Sequence, residues 1–362
     1  RFTEYSGDVS GRMIGALNEA EQMQLTAPAM MTALLEGAAK AQQPDGHFGV
    51  PQDLAKGVSQ QRDTPILWGN GRMLLALAER YRTTKDDAIL AEARKLGDYI
   101  VSTRPYYGIR ENFERVGGQL ASGFTTCYPS LVDGLVALGE VTGDAKYYDE
   151  ARFIGALSML DQSTDNHHSH GRLVTYRGLL DLDRLTGTAE FTPTIAKACE
   201  HIWETLTLPT GGVTEVFDLS YARDEGCSET DWARVNLYLW RATGDMNYLD
   251  RVEHILFNHF YAVQFDNGGF GHQVFVPCKN GDAKIPGGMA AWGSDSYWCC
   301  GMHCTQFLAE LPHWAAVVAN NELYVPLLAE ARTVFTINGN EVAVSVTRDT
   351  PWTWTVALES AT

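Results

Sequence analysis

Apolar residues recur every three to four positions through most of the chain, the spacing that turns one helical face toward a core. LWGNGRMLLALAERY (67–81) and YPSLVDGLVALGEV (128–141) carry it plainly. Runs of this kind end in a repeated turn. GEVTGDAKYYDEARFI (139–154), DRLTGTAEFTPTIAKA (183–198) and WRATGDMNYLDRVEHI (240–255) share Thr-Gly-(Asp/Thr) with an aromatic residue shortly after, and RYRTTKDDAILAEARKL (80–96) is a copy without the Gly. Glycine closes a helix in the left-handed conformation, and the Asp or Thr behind it caps the next one. Each copy therefore joins two helices. Gly143, Gly187 and Gly244 lie 44 and 57 residues apart (187 − 143 and 244 − 187), about one helical hairpin per repeat. A mainly α chain of repeated hairpins is a solenoid or a closed toroid. Irregular, aromatic-rich connections at 102–126 and 264–298 favour the closed form, an (α/α)6 toroid with loops crowding one rim.

The pattern changes near Asn320. LYVPLL (323–328), RTVFTINGNEVAVSVTRD (332–349) and WTWTVALE (352–359) alternate with period two, and Asn-Gly marks a hairpin turn. The reading is a toroidal domain over 1–318 and the beginning of a β-sandwich over 319–362. The latter segment is too short to complete a sandwich, so the sandwich is expected to continue past Thr362.

Composition narrows the function classes. The chain has 362 residues, 45% hydrophobic and 20% charged, enough to bury a large core. A net charge of −17 argues against a nucleic-acid groove, which needs clustered Lys and Arg. A neutral ligand such as a sugar meets no such objection. No apolar run approaches the roughly 20 residues needed to cross a bilayer. The first residue is Arg1 rather than Met, so targeting is not read from this end. Seven cysteines, an odd number without small-scaffold spacing, favour reduced thiols and a cytoplasmic location.

Candidate chemistry gathers around those cysteines. SYWCCGMHCTQFLAELPHW (296–314) holds three of them, and Cys299 and Cys300 are adjacent. Neighbouring cysteines make a strained ring if they bridge, so core packing, a metal site or a reactive thiol remain. Helical spacing after Cys300 and after Cys227 puts both clusters at helix starts, where the dipole favours thiolate. Ser228 and Asp231 have capping-box spacing. In RDEGCSET, Glu225 and Cys227 stand two apart, on one side of an extended segment. With Cys299 and Cys300 they form an S3O set suited to tetrahedral Zn2+. Cys304 or His303 in place of Glu225 would make the zinc purely structural. Cys127, Cys199 and Cys278 read as structural. Glu215, in VTEVF, is a pocket acid or the solvent-facing position of an edge strand. Asp218 and Asp224 read as loop-solvated. The His-rich NHHSHGR around His170 reads as a contact or a solvated loop, and His47 as a weaker contact. Trp68, Trp292 and Trp298 stack on a ring or fill core.

Taken in order, TGGVTEVF (210–217), EGC (225–227), YWCCG (297–301) and NELYVPLL (321–328), with looser PDGHFG (44–49), WGNG (68–71) and SHGR (169–172), resemble glycoside hydrolase family 127. The resemblance implies a toroidal catalytic domain followed by β-sandwiches. It also implies zinc held by Glu225, Cys227, Cys299 and Cys300, with Cys299 as nucleophile and Glu215 as general acid/base of a retaining β-L-arabinofuranosidase-like enzyme. His170, Arg72, His47 and Trp68 would contact the substrate, a sugar at the end of an oligosaccharide or glycan side chain. A homodimer is compatible with this reading. The chain departs from the family pattern at Gly71-Arg72, at Cys127-Tyr128-Pro129-Ser130 and at Gly301-Met302-His303. The departures fall on sugar-contacting positions, and Arg72 suits an acidic sugar if it lines the pocket. The alternatives are a metal-free toroid sugar enzyme (epimerase or carboxylate-based hydrolase) and a carbohydrate-binding scaffold with a structural zinc.

Overall fold

Helices alternate between two roles along the chain. The structure is a computed structural model that describes residues 5–115, 123–159, 167–221, 223–272, 298–319 and 322–360. The helices are α1 (Asp8–Gln22), α2 (Pro28–Ala41), α3 (Gln60–Thr84), α4 (Asp87–Ser102), α5 (Arg104–Tyr107), α6 (Arg110–Arg115), α7 (Phe124–Cys127), α8 (Leu131–Thr142), α9 (Ala145–Ser158), α10 (Ser169–Thr186), α11 (Thr192–Thr205), α12 (Gly226–Thr243), α13 (Asn247–Ile255) and α14 (Trp298–Glu310). Helices α1, α3, α8, α10 and α12 pack on one another. Helices α2, α4, α9, α11 and α13 each pack against the inner helix that precedes them. This is the expected α/α toroid.

Burial follows that division. An outer helix buries one stripe, as α11 does with Ile195, Cys199 and Ile202. An inner helix is enclosed on every side, so α10 and α12 bury polar residues together with apolar ones. Those buried polar groups must find partners within the protein.

The repeated turn behaves as the sequence predicts. Gly143, Gly187 and Gly244 close α8, α10 and α12 at φ of 68, 68 and 73°, and Lys85 takes φ 57° in the copy that lacks Gly. Asp86 and Asp144 accept from the amides of Ala88 and Lys146, capping α4 and α9. The α10–α11 turn uses a different device. Buried Asp183 accepts from the amides of Glu190, Phe191 and Thr192 at 2.8–3.0 Å and from the hydroxyls of Thr188 and Thr192.

Two connections differ from the sequence reading. The 102–126 stretch holds the short helices α5, α6 and α7 rather than irregular chain, while its residues 116–122 lie outside the described set, as does 273–297 with Cys278 and Trp292. Packing divides the chain into residues 1–304 and 305–362. Within the second unit β1 (Val317–Ala319) pairs antiparallel with β2 (Glu322–Tyr324). The strand read over 323–328 stops early because Pro326 has no amide to continue a ladder. β3 (Ala331–Ile337), β4 (Asn340–Thr350) and β5 (Thr353–Ser360) form an antiparallel meander. Asn338 and Gly339 both take positive φ, 51 and 79°, as a two-residue hairpin turn requires. Val344 and Val346 bury one face of this sheet against Phe335 and Trp354.

Asp183→Ala strands five donors at once and is expected to lower the unfolding free energy by about 3 kcal/mol or more. Thr188→Val removes one of them and should cost about 1 kcal/mol. Urea unfolding of the two variants checks the ratio.

Candidate active site

The Thr210-Gly211-Gly212 turn that precedes Glu215 lies against a histidine. A Cβ on Gly212 would stand 2.4 Å from the His259 ring, so only glycine fits there. His259 sits in a π-helical turn, Leu256–Phe260, that continues α13. Its Nε2 faces Asp224 Oδ2 at 2.9 Å and Glu229 Oε1 at 3.3 Å, and its Nδ1 faces Thr210 Oγ1 at 2.7 Å. Glu229 also accepts from the Val213 amide at 2.9 Å. Burial pushes the Glu229 carboxyl up to about 8. Asp224 is thus fully enclosed, not solvated as the sequence reading had it, because its loop is folded under the Gly-Gly turn.

From that base the chain passes through Glu215. Short antiparallel bridges join Val216 to His168 and Thr214 to Asp224. They replace the edge strand as the setting of Glu215, which is buried. Arg223 clasps both its carboxylate oxygens, with Nη2 donating to Oε1 at 2.9 Å and Nε to Oε2. A His168 nitrogen and oxygens of Glu215 and Glu225 lie within 4.8 Å of one another.

The thiols meet beside Glu225. The Sγ atoms of Cys227 and Cys300 are 3.9 Å apart, those of Cys299 and Cys300 3.6 Å, and Cys299 Sγ lies 3.8 Å from Glu225 Oε1. Cys227 occupies the first turn of α12 and the Cys299–Cys300 pair that of α14, as their predicted helix starts required. The Gly226 amide donates to the Gly271 carbonyl at 3.0 Å, which brings His272 to the same group. The second carboxylate oxygen of Glu225 is occupied. His168, whose Nδ1 accepts from the Gly171 amide, presents Nε2 to Oε2 at 3.2 Å, and Ser228 donates to the same oxygen at 3.3 Å. Burial raises the Glu225 carboxyl, but the His168 bond outweighs it and holds the group well below the carboxylate range.

Three of the separations within this donor set fit a tetrahedral ion, and the buried group whose donor atoms all lie within 4.8 Å of one another is Glu225, His272, Cys299 and Cys300. Bonds of about 2.3 Å to sulfur and 2.1 Å to oxygen separate ligand atoms by about 3.6–3.8 Å, and the three separations above are 3.6, 3.8 and 3.9 Å. Without a cation, burial drives all three thiols well above their ordinary range, each buried beside the others. Cys304 takes a hydrogen bond from Thr230 at 3.3 Å, and His303 faces Asp231 at 3.1 Å and Arg234 at 3.2 Å. Both are engaged away from the three-thiol group.

A second buried cluster adjoins the first. Asp231, predicted as part of a capping box, instead points from α12 into the ring interior, where its Oδ2 faces His170 Nδ1 at 2.6 Å. Its Oδ1 accepts from Arg177 at 2.9 Å and faces His303 Nε2 at 3.1 Å. Burial raises Asp231, yet His303, Arg177 and His170 hold it well below the carboxylate range. It therefore fixes the proton of His170 on Nδ1. His170 lies inside α10, enclosed rather than on a solvated loop. Trp68 is half-buried, 5.4 Å edge-on to His170, with the Arg72 guanidinium 4.8 Å over its face. Trp298, also half-buried, tilts against Tyr5 at 5.6 Å. His47 is not brought to this group. It is held by Asp45 and the Val50 carbonyl and stacks on Tyr99.

Sequence reasoning missed four contributors: His272, His168, Arg12 and Arg223. Arg12 of α1 donates to Cys227 Sγ at 3.5 Å and approaches His170 at 3.2 Å. Arg12 lies on a helix and His168 and Arg223 in connecting chain, and nothing local in the sequence says which interior any of them enters. His272 sits in FGH, a Gly-His stretch unlike a predicted element, and that was the one available cue.

The helical toroid with its buried group of thiols and carboxylates corresponds to a known family. The family model described as the GH127 catalytic domain of β-L-arabinofuranosidase matches residues 16–313, and the chain belongs to that family. A GH127 β-L-arabinofuranosidase from Geobacillus stearothermophilus T6 superposes with a TM-score of 0.76 at 17% identity, over 99% of this chain and 64% of that one. A GH127 β-arabinofuranosidase gives 0.72 at 20% identity, over 99% and 61%. The chain thus spans under two thirds of their lengths. A cellobiose 2-epimerase from Bacillus thermoamylovorans gives 0.58 at 14% identity, over 84% and 87%, so the toroid is shared across different sugar chemistries. Among curated protein sequences nothing matches significantly.

Burial and the Arg72 charge hold the His170 ring down to about 3. Its imidazole should stay neutral from pH 8 to 5, with no titration of its NMR ring signals. Between about 6.5 and 3 the unfolded chain binds the extra proton, so this residue's contribution to stability falls as pH drops through that window.

Proposed function

We propose that this chain carries the active centre of a zinc-dependent retaining glycosidase that releases a terminal sugar of the β-L-arabinofuranoside type. The observation that carries the reading is that the Cys227–Cys300, Cys299–Cys300 and Cys299–Glu225 separations match edge lengths of a tetrahedral ion. His272 stands by as a further donor. Zinc, when bound, keeps buried thiols ionised at neutral pH.

Cys299 is the nucleophile in this reading. Its sulfur attacks the anomeric carbon as the glycosidic C–O bond breaks, and Glu215 gives its proton to the departing oxygen. Glu215 then takes a proton from water, whose oxygen displaces the cysteine sulfur and restores both groups. Two inversions leave the anomeric configuration retained. Arg223 positions both Glu215 oxygens, and His168 does the same for Glu225. Glu225 joins the two halves, standing beside Glu215 on one side and 3.8 Å from Cys299 on the other. The thiols must be reduced to serve, which suits a reducing compartment. The segment that follows the toroid is the start of a β-sandwich in this reading.

Purified protein is expected to hold about one zinc per chain by elemental mass spectrometry, and Cys227→Ser to lose it. Absence of zinc from chelator-free preparations would sink the reading. Glu215→Gln should lower kcat by about 10²–10⁴-fold while zinc content stays at the unsubstituted level. Intact-mass analysis with a slow furanoside should find the sugar on Cys299 and no adduct in Cys299→Ala.

A further inference from the structure

Two guanidinium groups converge on one nitrogen beside the thiol cluster. Arg72 Nη2 lies 2.9 Å from His170 Nε2, and Arg12 Nη2 lies 3.2 Å from the same atom. Because Asp231 holds the ring proton on Nδ1, Nε2 offers one lone pair. Two N–H groups compete for it, so one is in surplus. Arg72 Nε is also buried with no hydrogen-bond partner. Arg12 is otherwise compensated, donating to Asp8 at 2.8 Å and to Cys227 Sγ at 3.5 Å. Arg72 is not. Among the described residues no carboxylate lies within ion-pair distance of it, and its contacts are the His170 nitrogen and the Trp68 face.

A buried cation that shares a neutral imidazole with a second guanidinium and keeps spare donors is costly unless an anion joins it. The acceptor that matches a guanidinium edge best is a carboxylate, held by two parallel hydrogen bonds. Long-range attraction is not the purpose, since the chain as a whole carries −17. The position matters more. Arg12 reaches the thiol cluster with one nitrogen and the His170 nitrogen with another, so the surplus donors border the place where a sugar ring would react.

We propose that Arg72, with Arg12 and His170, binds a carboxylate carried by the sugar, which narrows the glycosidase reading to a furanoside-type sugar that bears an acid group. The proposal rests on the glycosidase reading for taking this region as the sugar site. It makes Arg72 the specificity-determining residue, with Trp68 beneath its guanidinium.

The test is calorimetric binding to the full chain as purified, using D-glucuronate, D-galacturonate and L-iduronate, each against its methyl ester, with acetate and inorganic phosphate alongside. At least one acid is expected to bind ten-fold or more tightly than its ester. Arg72→Gln should bring acid binding down to the level of the ester and so remove that difference. Equal binding of every acid and ester, or no binding of any acid, overturns the proposal. Acetate or phosphate binding as tightly as the sugar acids also overturns it, because the site would then be a plain anion site. The acid-against-ester comparison on the unsubstituted chain decides the matter even if Arg72→Gln fails to fold. Binding needs neither turnover nor a Cys299 adduct, so the two readings fail separately. A chain without zinc that still prefers acids refutes the hydrolase, and a Cys299 adduct with neutral sugars alone refutes the acid site.

Discussion

One carboxylate, that of Asp231, sets the interior of the toroid. It is fully buried and takes contacts from His170, His303 and Arg177, and so ties α10, α12 and the first turns of α14 to one point. An uncompensated charge there would cost several kcal/mol, so those side chains are not free to rearrange singly. The His170 tautomer follows from this contact, and with it the single lone pair that Arg12 and Arg72 share. The thiol cluster depends on the same frame, because Cys227 and Asp231 lie one turn apart on α12, and Cys300 and His303 three residues apart on α14.

The acid side of the site is built by another rule. Glu215 and Glu225 belong to short extended pieces with few ladder bonds, and these hold position through buried side-chain contacts. His259, in its π-helical turn, fills the space under Gly212 and bonds Asp224 and Thr210. Arg223 and His168 then orient the two carboxylates. Rigid helices thus carry the three thiols, while loops pinned by charged side chains carry the two carboxylates.

Much of the fold was legible in the sequence. The Thr-Gly turns, the apolar period of α3 and α8 and the Asn-Gly hairpin each express a local rule, satisfied within a few residues of chain. Glu225, Cys227, Cys299 and Cys300 were also legible as candidates, since helix starts and residue type are local properties. The failures share a cause as well. Asp231 fitted a capping box by spacing, but α12 begins earlier, with Glu225 as its N-cap, and turns Asp231 inward. Asp224 read as solvated because its neighbours are polar, and His47 as a contact because of a short motif.

By itself the sequence determined which residues could form helices, where those helices turn back, and which side chains could bind a soft metal ion. Only the tertiary structure decided which of them meet. Enclosure of the inner helices removed water from Asp231, His170, Arg72 and Arg12 and forced each to find its partner across the ring. It also drew His272 to the thiols and left His47 beside Tyr99. Pairing of this kind depends on distances between segments far apart along the chain, and helical periodicity constrains only neighbours within a turn or two.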